Sequence, residues 1–237
     1  MTQAMPTPPA PPAAKPAKPG GKTPATGNTA SPPLSRDDQA RADLYALIAH
    51  LLMQAPDAEL LAELAAASTL APQMPDTPLD LAWQELTRAA GQTDAAAAQG
   101  EYDALFKGTG TPPLSPCASR YLSADMMNKP LATLRATLDA LELERQPAAD
   151  EPIDHLGALC EVMRVMIAGL GTVPRRPLAE QAAFFTMQIA PWQARCLNDI
   201  RNMPGAHFYG HVADVAEAFF DIEALASEPA QAGSQER

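Results

Sequence analysis

The chain has few cysteines and none of them is paired in sequence. Cys117, Cys160 and Cys196 lie far apart, with no C-x-x-C among them. An odd, unclustered set excludes a disulfide framework and a structural zinc site, and fits reduced thiols in a cytoplasmic protein. No apolar run reaches the roughly 18 residues of a membrane-crossing helix. Phosphate-cradling loops of the G-x-x-x-x-G-K-[ST] or G-x-G-x-x-G kind are missing, and Gly108-Thr109-Gly110 alone does not make one. Ser115 and Ser119 lack a G-x-S-x-G setting, so no nucleophile is marked. Aromatic residues are 5% of the chain. No segment alternates in the manner of a strand.

Basic residues are also scarce. Seventeen Lys and Arg stand against twenty-eight Asp and Glu, a formal net charge of −11. Lys15, Lys18 and Lys22 are the only charges before Ser35, so setting these three aside leaves −14 on the remainder. Such a surface repels nucleic acid and anionic lipid and favours cationic partners, besides keeping the chain soluble. Residues 1–33 are dense in Pro, Ala, Thr and Gly, with no aromatic side chain. They cannot bury enough apolar surface to offset about 1–2 kcal/mol of entropy per ordered residue, so they read as a disordered tail. The expected division is this tail, a helical domain over 34–228, and a disordered end over 229–237. No leader peptide is recognisable, because no apolar stretch follows the three lysines.

What is present is helical periodicity. Ser35 with Asp38 resembles a cap, followed by Leu44, Leu47, Ile48, Leu51 and Leu52 on one face. Asp57 can cap a second helix. Pro78 starts a third that closes near Gly91, and Thr93 or Asp94 begins a fourth ending in Tyr102, Leu105 and Phe106. A loop rich in Gly and Pro follows, from Gly108 to Ser119, long enough to be functional or mobile. Further helices are expected to begin at Pro130, Pro152, Pro177 and Pro191, with a last one from about His207 to Ala226. The fold class is therefore all-α, a single helical bundle of about eight to ten helices.

The segment from Glu151 to Leu170 is the most informative. Pro152 suits a first helical position and Glu151 and Asp154 suit its positive end. On a helical wheel Ile153, Leu156, Leu159, Cys160, Met163, Met166, Ile167 and Leu170 share an arc of about 140°. Asp154 and Glu161, two turns apart, are expected to project together on the other side, with His155 between the faces. Two readings stay open for these polar residues. They can cap the helix and pair with Arg164, or line a groove for a basic polypeptide.

Three blocks then resemble the TorD family of redox-enzyme maturation chaperones, which includes the DmsD and NarJ proteins. The first is Glu101-Tyr102-x-x-Leu105-Phe106 with Gly108 and Gly110, continued by Pro113, Pro116, Ser119, Tyr121, Leu122 and Ser123. The second is Glu151-Pro152-x-Asp154-His155-Leu156 with Glu161 and Met163, and the third is Phe184 with Pro191-Trp192. Thr109, Ala118, Leu159 and Gln188 stand where the family commonly has other residues. The resemblance implies a cytoplasmic, non-catalytic chaperone without cofactor or metal. Its partner would be the twin-arginine signal peptide or apo form of a molybdopterin oxidoreductase, of formate dehydrogenase or DMSO/TMAO reductase type. The implied client-binding residues are Glu151, Asp154, His155, Glu161, Tyr102, Phe106, Pro116, Ser119, Tyr121, Gln188 and Trp192. A monomer is expected, or a dimer that exchanges helices through the 108–119 loop. The rivals are a helical adaptor without a peptide site and a nucleotide-binding protein using Asp154 and His155.

Overall fold

Helix starts are set by side-chain caps that the sequence places one after another. Ser35 accepts from the Asp38 N–H at 3.0 Å and opens α1 (Arg36–Met53). Asp57 accepts from Leu60 N–H at 2.8 Å ahead of α2 (Ala58–Ala67). Thr77 and Asp80 cap each other's backbone reciprocally at the start of α3 (Pro78–Ala90), and Asp94 caps α4 (Ala95–Tyr102). The remaining helices are α5 (Ala118–Tyr121), α6 (Ala124–Ala140), α7 (Leu156–Ala168), α8 (Leu178–Gln188), α9 (Gln193–Asn202) and α10 (Phe208–Ser227). The computed structural model describes residues 33–67, 77–108, 111–122, 124–140 and 152–227. Among these the fold is all-α, with ten α-helices and no strand. The expectations for the 1–33 tail and the 229–237 end fall outside the described residues, apart from Pro33.

α7 is the axis of the fold. Nine of its side chains or backbone positions are buried, from Leu156 to Ile167, including Val162 and Val165 off the expected arc. So wide an apolar surface, broken only by Glu161 and Arg164, belongs in an interior. It packs chiefly against α1, where Gly157 permits a close approach. A Cβ there would sit 2.6 Å from Met53 Cγ and 3.1 Å from the Ala49 carbonyl oxygen. α8 packs on α7 as well, and α10 buries Val212, Val215, Ala216, Phe219 and Phe220 while packing on α3, α8 and α9.

Several sequence expectations change. The helix expected from Pro152 begins at Leu156, because residues 152–155 form a turn in which His155 N–H donates to the Pro152 carbonyl. Leu170, expected in the core, is 48% exposed. The helix has ended at Ala168, and Gly169 (φ +77°) turns the chain away. Pro130, expected to start a helix, lies inside α6. The carbonyl of Pro130 is met from outside the helix by Gln188 Nε2 at 3.0 Å.

One polar cluster went unread. Arg41 on α1 grips Glu223 on α10 through two hydrogen bonds, 2.7 and 2.9 Å long. Tyr45 hydroxyl donates to the same carboxylate at 2.9 Å, and Gln181 of α8 accepts from Arg41 at 3.1 Å. The signal was present, since Glu223 continues the inner row Val212, Ala216, Phe219. An acid in that row needs a buried cation.

Candidate functional site

The first and second sequence blocks meet. Two backbone bonds join the 111–118 loop to the 152–156 turn: Leu156 N–H to the Pro116 carbonyl at 2.7 Å, and Ala118 N–H to the Asp154 carbonyl at 3.0 Å. Cys117 and His155 thereby form an isolated antiparallel bridge. A third bond runs from Ser119 N–H to the Asp154 carboxylate at 2.8 Å. Asp154 therefore caps α5 rather than facing solvent, and it is 7% exposed. This corrects the expectation that Asp154 and Glu161 share an outer face. Asp154 precedes the helix, so the helical wheel does not apply to it. Glu161 sits on α7, 46% exposed, in an ion pair with Arg164.

His155 is the N-cap of α7. Its Nδ1 accepts from Gly157 N–H at 3.1 Å, so in the neutral ring Nε2 carries the hydrogen. The ring is buried, at 4% exposure. Both polar residues of the D-H pair thus fix backbone geometry where loop and helix join.

The far end of the loop is held by an aromatic pair. Tyr121 stacks on Trp192 with ring centroids 5.6 Å apart and planes 19° from parallel. Trp192 is buried, and its Nε1–H donates to the Gln188 carbonyl at 2.6 Å. Arg195 donates to the Tyr121 carbonyl at 2.7 Å. The Tyr121 hydroxyl faces Cys196 and Asp199, and burial raises its pKa well above the ordinary tyrosine range. Burial likewise pushes the Cys196 thiol up to about 12.

The near end starts in a π-turn, Asp103–Lys107, closed by Gly108 N–H to the Asp103 carbonyl at 2.7 Å. Such turns recur at functional sites. Gly108 has φ +57°, and Leu114 N–H returns to the Leu105 carbonyl at 3.0 Å. Tyr102 is core, packed on Phe106 and Tyr209. Glu101, which opens the first block, caps α10 through the N–H groups of Phe208 and Tyr209 at 3.1 and 2.8 Å.

Of the sequence-predicted site residues, then, Asp154, His155, Pro116, Ser119 and Tyr121 come together, with Trp192 and Gln188 beneath Tyr121. Tyr102, Gln188 and Trp192 are buried; Phe106 and Tyr121 are half-buried; Ser119 is exposed. Glu161 makes no bond to this cluster, and Glu151 lies outside the described residues. Asp199, beside the Tyr121 hydroxyl, was missed; a lone exposed acid on an amphipathic helix carries no sequence signal. Among the described residues no group of His, Cys, Asp and Glu is placed to hold a metal ion, and no helix is long and apolar enough to cross a membrane.

An all-α protein whose separate sequence blocks lock into one clasped loop is the class these observations define. Residues 73–198 match the family model described as nitrate reductase delta subunit, a span that contains all three blocks. The chain belongs to this family, the NarJ/TorD-type chaperones of molybdoenzyme maturation. A search of curated proteins found no match. Its role is accordingly that of a redox-enzyme maturation chaperone.

Proposed function

We propose that the chain binds the twin-arginine signal peptide of a molybdopterin oxidoreductase at the surface of the clasped loop, and so delays export until the client has its cofactor. The observation that carries this reading is the clasp itself. It holds an exposed Ser119 and a half-exposed Tyr121 on a backbone fixed by Asp154, next to the exposed carboxylate of Asp199. Guanidinium groups prefer carboxylates in paired geometry, and an extended peptide beside them needs an aromatic wall. Asp199 and Glu161 would meet the two arginines, with Arg164 displaced from Glu161. Tyr121, Phe106 and the exposed rim of the loop would take the apolar stretch. Asp154, His155, Pro116, Gln188, Trp192 and Tyr102 act by positioning. The signal peptide engages in the cytoplasm, before export, and nothing in the proposal requires turnover.

A nucleotide site built on Asp154 and His155 is disfavoured by geometry, because both side chains are buried and bonded to backbone N–H groups. The test is binding of a labelled twin-arginine peptide to the full chain. Asp199→Asn with Glu161→Gln should weaken it about tenfold or more, and raising salt should weaken it further. A peptide that binds equally well to this double variant, or that does not bind the native chain, would leave the adaptor reading.

A further inference from the structure

Gln181 and Gln188 lie about two turns apart on α8, and both side chains are buried. Each serves to hold α6, one directly and one through a neighbour. Gln188 Nε2 donates to the carbonyl of Pro130, inside α6, at 3.0 Å. Gln181 Nε2 donates to the Arg176 carbonyl at 2.8 Å, and Arg176 Nη2 donates to the carbonyl of Ala140, the last residue of α6, at 2.7 Å. The Arg176 backbone is fixed on its other side as well, its N–H donating to the Met166 carbonyl of α7 at 2.7 Å. Gln181 in turn accepts from Arg41, so this fastening is rooted in the Arg41–Glu223 pair.

Between the two fastenings α6 is lightly held. It packs chiefly on α5 and α8, and among its described side chains Leu134 alone is buried. Beside it lies a hollow of about 310 Å³, with Thr133, Ala136 and Thr137 on the α6 side and Met166, Phe184 and Met187 across from them. Side chains facing such a gap forgo the contacts that hold packed helices together. Pro130, having no N–H, also removes one hydrogen bond from within α6. The Pro130 fastening leads on to the clasp. Gln188 holds α6 with its side chain and offers its backbone carbonyl to Trp192 Nε1–H at 2.6 Å, and Trp192 carries the stacked ring of Tyr121. When α6 leaves, the Gln188 amide loses its partner in a buried place, which is costly, so it must turn and disturb Trp192.

We propose that α6 is a strap: it lifts off α8 as a unit while the rest of the bundle stays folded, and Gln188 transmits that release to the Tyr121–Trp192 pair at the far end of the clasped loop. With α6 fastened, the aromatic pair holds the loop as described above. With α6 lifted, the pair loosens and the loop with it. The inference stands apart from the signal-peptide reading, since no readout below uses a peptide.

The experiment is hydrogen exchange of the full chain, followed in low concentrations of urea. Amides of α6 should exchange at least about tenfold faster than those of α7, with a weaker dependence on urea because lifting one helix exposes little surface. Arg176→Met removes the donor to Ala140 and should speed α6 exchange about fivefold, the factor for one net hydrogen bond, while α7 keeps its rate. Arg176→Lys retains a donor and should restore part of the difference. Thr137→Leu, which fills the hollow, should act the other way and slow α6. With Trp83→Phe, Trp192 is the sole tryptophan. In that background Arg176→Met should raise the quenching of Trp192 by acrylamide, although Arg176 grips the opposite end of α6. If α6 and α7 exchange at one rate with one urea dependence, the strap is overturned. An Arg176→Met effect spread equally over both helices overturns it too, and so does faster α6 exchange in Thr137→Leu, which decides the matter even where Arg176→Met fails to fold. Unchanged Trp192 quenching in a chain whose α6 exchanges faster overturns the transmission through Gln188.

Discussion

Asp154 reaches across 35 positions of sequence to accept the Ser119 N–H at 2.8 Å, and this bond joins two backbone bonds in fixing how the loop leaves the core. A cap of this kind contributes about 0.5–2 kcal/mol. Asp154→Ala should lose that amount in urea unfolding, and amide exchange at Ser119 should accelerate. Asp154→Asn keeps an acceptor oxygen and should lose only a few tenths. Peptide affinity separates positioning from direct pairing. If Asp154 acts only through the loop, the Asn variant binds as the native chain does and the Ala variant more weakly. An Asn variant as weak as Ala would mean that the negative charge itself meets the ligand.

Gly157 is a packing residue and not a hinge. The space for its missing Cβ is occupied by Met53, the Ala49 carbonyl and the His155 ring. Gly157→Ala forces α1 and α7 apart or displaces the His155 cap. The expected cost is about 1–3 kcal/mol, the range for overpacking a filled interior. Met53→Ala in the same chain should recover part of it. No loss in the single variant would mean that α1 can shift freely, contrary to this packing.

The Arg41–Glu223 pair ties the first helix to the last. Glu223 is 3% exposed and Arg41 20%. Removing one member of such a pair strands the other charge, at a cost of about 3–5 kcal/mol, lessened here by the partial exposure of Arg41. Arg41→Met should therefore destabilise more than Glu223→Ala, because it strands a buried carboxylate with only Tyr45 to donate to it, whereas Arg41 without Glu223 keeps partial exposure and Asp38. A smaller loss for Arg41→Met than for Glu223→Ala in chemical denaturation would show that the carboxylate is not stranded by losing its cation.

The helices were legible because their caps and apolar periods are local signals. Ser35, Asp57, Thr77 and Asp94 each sit just before the helix they start, and the loop expected from Gly108 is irregular over 111–117 but gives way to α5 at Ala118, one residue before the expected end at Ser119. The Glu151–Leu156 block was misread in one respect. A proline, an acid and a histidine there look like a first helical turn, but Asp154 and Leu156 pair through their backbones with Ala118 and Pro116, and the helix starts only at Leu156. That pairing is non-local, and no periodicity encodes it. The same holds for Tyr121 on Trp192, where aromatics at helical spacing read more readily as core than as groove and the stacking itself is non-local. The Arg41–Glu223 pair joins α1 to α10, so the inner-row position of Glu223 calls for a cation without saying which one.

The buried thiols give the fold a pH limit. Burial raises Cys196 to about 12 and Cys160 well above its ordinary value near 9. In the unfolded chain both would lose their protons around pH 9, while the folded chain keeps them. The native state then binds more protons than the unfolded one, so stability falls as pH rises from about 9 towards 12, and is unaffected by these groups below pH 9. Each thiol contributes a slope approaching about 1.4 kcal/mol per pH. Tyr45, Tyr121 and Tyr209, also raised by burial, add in the same direction above pH 10. Urea midpoints measured at intervals from pH 8 to about 11 should decline in the native chain and decline less steeply in Cys196→Ala. A thiol reagent should meanwhile label Cys196 only at the rate of opening, since all three cysteines are buried. Identical slopes in the two chains, or fast labelling of the folded protein, would mean that water already reaches the space beneath Tyr121 and Trp192.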